Sequence, residues 1–128
     1  VAKSRPRLAR NGHVYTPKAT KDAESLVKFY GQWVFKKPSE QPLSMRIRFG
    51  MPIPKSYTKT QRQLIQDGHL HHCKTPDLDN LEKLVLDGLN GVAYVDDKQI
   101  ISLIAEKFYA EIPGTTVEIR EWGDDGTD

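Results

Sequence analysis

Along the chain, the first regular pattern is a helical one. Leu26, Val27, Phe29, Tyr30, Trp33 and Val34 recur at helical spacing and predict a helix from about Ala19 to Phe35, capped by Thr20 or Asp22. From Pro42 to Phe49 the period shortens to two, with Leu43, Met45, Ile47 and Phe49 alternating with Ser44, Arg46 and Arg48. That is a strand with one buried face, and its outer face carries two arginines. Thr58 to Asp67 reads as a short polar helix ending near Gly68. The strongest signal runs from Asp77 to Asn90, where Leu78, Leu81, Leu84, Val85 and Leu89 make one apolar stripe and Asn90-Gly91 supplies the stop. Val92 to Val95 follows as a short extended piece or turn. Gln99 to Ala110 and Thr115 to Trp122 have strand character, with a Pro113-Gly114 turn between them. Ahead of all this, Asn11-Gly12 fits the tight turn of a hairpin with Arg7–Arg10 on one arm and His13–Thr16 on the other. Gly123 to Asp128 is an acidic tail, expected to be mobile. With no repeat and no long linker, residues 1–128 read as one α/β domain.

Composition narrows the class. A chain of 128 residues suits a single domain able to bury a core without disulfides. Cys73 is the only cysteine, so no intrachain bridge can form and a reducing compartment is expected. No apolar run approaches the roughly 18 residues of a membrane span, and no signal-peptide pattern opens the sequence. The expectation is a cytoplasmic protein with no membrane partner.

The net charge of +2 conceals a marked asymmetry. Residues 1–66 hold 14 Lys/Arg against 3 acids, a balance of +11, and residues 67–128 hold 5 against 14, a balance of −9. A basic half points to a polyanionic partner, because Lys and Arg neutralise phosphates and release counterions. Acidic residues beside a nucleic acid are repelled by it unless a cation lies between.

The acidic residues have an order that suggests one. On a helix, Asp79, Lys83 and Asp87 fall at about 0°, 40° and 80°, a single polar face opposite the leucine stripe. The loop after Gly91 could return Asp96 or Asp97 to the start of that helix, and in extended chain only one of the pair would face it. Clustered carboxylates raise one another's pKa and call for a cation, for which Mg²⁺ is the natural hard-oxygen partner. Lys83 would then stabilise charge in the transition state or orient water. Helix capping is the plainer explanation. Asp79 with Glu82 fits a capping-box variant, and Thr75-Pro76 fits an N-cap followed by proline.

The string Asp77-Leu-Asp79-Asn80-Leu-Glu-Lys83, with Asp87-Gly-Leu and Val95-Asp96-Asp97 behind it, closely resembles the RusA family of Holliday junction resolvases. Residues 72–101 carry the core of the resemblance. Lys3-Ser-Arg-Pro-Arg7 and Asn11-Gly-His-Val-Tyr-Thr-Pro17 also look like the N-terminal region of bacterial and phage members. The resemblance implies Mg²⁺ (with Mn²⁺ able to substitute) on Asp77, Asp79 and Asp97, a catalytic Lys83, and cleavage of branched DNA at a four-way junction. It also implies a homodimer of small subunits, each an α/β (α+β) fold with a small mixed sheet packed against two or more helices. Relatives usually carry a short strand before the basic segment, whereas this sequence starts almost at that segment.

Around this centre, Lys3, Arg5, Arg7, Arg10, Lys18 and Lys74 are the expected DNA-binding residues. A non-catalytic branched-DNA-binding protein is the alternative, and it leaves the carboxylates idle. His69-Leu-His71-His72-Cys73 offers zinc-type ligands, but so close together that they suit a polar loop better than one tetrahedron. Phe29 and Trp33 are expected in the core. Leu64, Ile65, Ile53 and Tyr57 are spare apolar residues available to a dimer interface.

Overall fold

The computed structural model describes residues 17–122, with the side chains of residues 17–22 left aside. In order, its elements are α1 (Pro17–Val34), β1 (Leu43–Pro52), α2 (Lys59–Gln66), α3 (Leu78–Leu89), a 3-10 turn (Asp97–Gln99), β2 (Ile100–Ala110) and β3 (Gly114–Glu121). Every expected element within those residues is present, with ends displaced by up to three residues. Three helices and a three-stranded mixed sheet make this an α+β fold. The N-terminal hairpin and the acidic tail lie outside the described residues.

β1 is the central strand, parallel to β2 and antiparallel to β3. Leu43, Met45, Ile47, Phe49 and Met51 are buried on one face, as the alternation demands. β2 and β3 follow one another in sequence but do not pair, because β1 lies between them. Their short connection passes Gly50, where an added Cβ would sit 3.0 Å from the Ala110 Cβ and 3.2 Å from the Gly114 carbonyl. Bare backbone at Gly50 is what the crossing requires.

Helices cover the inner face of the sheet. Leu81, Val85 and Leu89 of α3 pack on the β1 side chains, with Ala93 and Tyr94 completing the core. α1 packs on α3 through Ala23 and Val27, with Gly31 at close approach to Leu89. Phe29 and Trp33 do not join this core. They are 53% and 77% exposed, because they lie on a different face of α1 from Ala23, Val27 and Gly31. Their rings pack on each other instead, edge to face at 6.3 Å.

On the outer face, Arg46 and Arg48 both reach Glu106 of β2, at 3.5 and 2.8 Å, and the Arg48 guanidinium lies over the Phe108 ring. α2 is a surface helix with no buried residue, started by a reciprocal capping box between Thr58 and Gln61. Among the described residues no helix is long and apolar enough to cross a membrane.

Candidate functional site

α3 places its acidic residues by burying the opposite arc. With Leu81, Leu84, Val85 and Leu89 buried, Asp79 and Lys83 are exposed and Asp87 is half-buried. Asp77 is the N-cap, exposed and extended, yet its carboxylate makes no capping hydrogen bond. Thr75 and Pro76 precede the helix rather than cap and start it, so the plain capping explanation leaves Asp77 unaccounted for. Asp79 accepts a hydrogen bond from the Asn80 amide at 3.0 Å. Lys83 Nζ lies 3.9 Å from Asp87 Oδ2, one turn further on.

Asp96 and Asp97 have different roles. Asp96 caps the 3-10 turn by accepting from the Lys98 amide at 2.9 Å, while the Gln99 side chain accepts from the Asp96 amide at 2.9 Å. Asp97 is half-buried and takes no part in that box. Of the adjacent pair, only the first carboxylate is engaged in capping the turn.

The chain does not carry Asp97 back to the start of α3. After the helix it folds onto the last turns, where the Gly91 amide donates to the Tyr94 carbonyl at 2.8 Å and the Tyr94 hydroxyl to the Leu86 carbonyl at 2.7 Å. Burial, then the charge of Asp97, then that of Asp87 push the Tyr94 phenol well above its ordinary value. Asp97 thus belongs to the C-terminal end of α3. The N-terminal end is marked by Lys107, whose ammonium donates to the Lys74 and Pro76 carbonyls at 2.6 and 2.9 Å. From Ile100 to Lys107 the strand advances about 23 Å at its usual rise. Asp97 and the Asp77–Asp79 pair consequently stand at opposite ends of helix and strand. Among the described residues, no three His, Cys, Asp or Glu side chains form a group able to hold a metal ion.

A second polar cluster braces the loop that leads into Asp77. Lys74 Nζ donates to the Tyr57 hydroxyl at 3.0 Å, and the Tyr57 and Tyr109 hydroxyls are 3.0 Å apart. The hydrogen bonds from Tyr109 and Lys74 lower the Tyr57 pKa, whereas burial and Tyr57 push Tyr109 up to about 12. His72 packs edge to face on Tyr109 at 5.1 Å, and its Nδ1 is buried without a hydrogen-bond partner. Burial, then the nearby Lys107 charge, lower the His72 pKa. Cys73 is exposed. Sequence reasoning missed Tyr109 and Lys107. The available signal was a lysine at an inward position of β2, in phase with Leu103, Ala105 and Tyr109.

Of the expected DNA contacts, Lys74 is exposed and turned toward Tyr57. Lys3, Arg5, Arg7 and Arg10 lie outside the described residues, as does the side chain of Lys18.

The family model for the endodeoxyribonuclease RusA matches residues 1–120. The chain belongs to the RusA endodeoxyribonuclease family. Membership implies an endonuclease that acts on Holliday junction DNA. The chain is also similar to the uncharacterized protein YqaN of Bacillus subtilis (strain 168), 36% identical over 132 residues that span 94% of this chain and 89% of the relative. Within the matched residues, Asp77 and Asp79 stand at the exposed start of α3, and the Asp96-Asp97 pair at the entrance to β2.

Proposed function

We propose that the protein is a Mg²⁺-dependent Holliday junction resolvase working as a homodimer whose active sites are shared between subunits. In this reading Asp77 and Asp79 of one subunit and Asp97 of the partner subunit hold the ion, with Mn²⁺ an acceptable substitute. Lys83 carries positive charge to the phosphate undergoing cleavage. The observation that carries the reading is the separation of Asp97 from Asp77 and Asp79, together with the absence of any capping bond at Asp77. A single subunit fits only part of the ligand set, so no catalytic step is assigned to an ion held by one chain. A two-fold axis can bring the start of one α3 to the end of the other, because both copies use the same patch. Exposed Trp33, Val34, Ile101 and Ile104 supply apolar surface for such an interface. A four-way junction has near two-fold symmetry, and resolving it needs a cut in each of two opposed strands. The ion supplies charge stabilisation at phosphoryl oxygens.

Cleavage of a synthetic four-way junction in Mg²⁺ tests this. Asp79→Asn and Asp97→Asn should each be inactive alone while still binding the junction. Mixed dimers of the two carry one intact site and one doubly altered site, and should nick the junction. Metal-dependent cleavage by Asp79→Asn alone would remove the ligand assignment. Inactive mixed dimers would place each whole site within one subunit. A wild-type protein that binds the junction but never cuts it is a non-catalytic branched-DNA-binding protein.

A further inference from the structure

Lys107 occupies a place where an apolar residue is the ordinary choice. In the parallel pairing of β1 with β2, Lys107 lies beside Phe49, and its inward-facing neighbours two residues away are Ala105 and Tyr109. An ammonium on that half-buried face gains from acceptors, because charge drawn out of water without partners is costly. It finds two, the carbonyls of Lys74 and Pro76, at 2.6 and 2.9 Å. Among the described residues no other lysine bonds two backbone carbonyls.

Those carbonyls are the third-last and the last before Asp77, with Thr75 between them. On the other side, the Asp77 carbonyl accepts the first helical hydrogen bond from the Leu81 amide at 3.2 Å. The backbone of Asp77 is therefore held from both directions, by Lys107 through the loop and by α3 through its first turn. Its side chain makes no capping bond. The arrangement fixes where the carboxylate starts and leaves the carboxylate free.

We infer that Lys107 is a positioning residue for Asp77, acting through the Lys74–Pro76 backbone without touching substrate. The inference rests on the reading that Asp77 belongs to the active site, but its structural half can be measured without any activity. Lys107→Met keeps the length and removes the donors, and Lys107→Arg keeps donors. For Lys107→Met, amide hydrogen exchange at Leu81, whose amide bonds the Asp77 carbonyl, should accelerate, and Lys107→Arg should restore much of the protection. Single-turnover cleavage of bound junction should fall by about 10–100-fold, the range typical for removing a group that orients a ligand. Junction affinity without divalent ions, and its salt dependence, should stay at the wild-type value.

Unchanged exchange at the Leu81 amide overturns the inference. Weaker junction binding with a flatter salt dependence overturns it too, by making Lys107 a phosphate contact. If Lys107→Met does not fold, the comparison is made with Lys107→Gln, under the same expectations. If the wild-type protein cuts no junction, the functional reading fails, and the exchange data alone decide whether Lys107 positions Asp77.

Discussion

The Tyr94 hydroxyl takes the place of a helical amide at the Leu86 carbonyl. In a continuing helix that carbonyl would accept from the Asn90 amide, but the Asn90 amide turns to Asp87 at 3.3 Å instead. Tyr94, fully buried, donates to Leu86 at 2.7 Å. The bond ties the chain leading to Asp97 to the end of α3. Tyr94→Phe should cost about 1–2 kcal/mol, because it leaves a carbonyl short of its partner. Urea unfolding measures the cost, and a change below about 0.3 kcal/mol would mean that water replaces the hydroxyl at no loss.

Gly88 sets the distance between α1 and α3. A Cβ there would stand 2.9 Å from both the Cβ and Cγ1 of Val27 and 3.0 Å from the Glu24 carbonyl. Helix propensity alone would favour alanine by about 1 kcal/mol. Overpacking should win, and Gly88→Ala should destabilise by about 1–3 kcal/mol in thermal or urea unfolding. A stabilised variant would show that the helices can separate without loss.

His72 should make the fold sensitive to mild acid. Its pKa in the folded protein is lowered, so the unfolded chain binds the proton more readily, and stability is lost as pH falls below about 6.5. His72→Phe removes the titration and the unpartnered Nδ1 while keeping a ring against Tyr109. Melting temperatures across pH 5–8 should show a smaller acid-side loss in the variant. An identical pH profile in both proteins assigns the acid sensitivity elsewhere.

Arg5 and Arg7 are expected to grip DNA phosphates from the basic N-terminal segment. Replacing both with Ala should weaken junction binding and flatten its salt dependence by a slope of about 0.9 per lost contact on duplex arms. An unchanged slope would return the segment to ordinary solvated surface.

Much of this was legible in the chain. Alternation from Leu43 to Phe49 identified the buried face of β1, and the leucine stripe of α3 identified the face that Asp79 and Lys83 avoid. Both follow from local periodicity, which depends only on neighbours a few residues away. The same logic failed for Phe29 and Trp33. α1 is apolar on more than one face, and periodicity cannot say which face meets α3.

The sequence by itself determined which residues share a helix face, which alternate along a strand, and, through the string from Asp77 to Asp97, the resemblance to the family. Only the tertiary structure decided how far apart those residues stand. α3 and β2 run in opposite directions, and the returning chain docks at Leu86, not at Asp77. Asp97 is left at the far end of the helix, and an inward lysine from β2 braces the near end. Such relationships come from the packing of segments distant in sequence, where no local period carries the information.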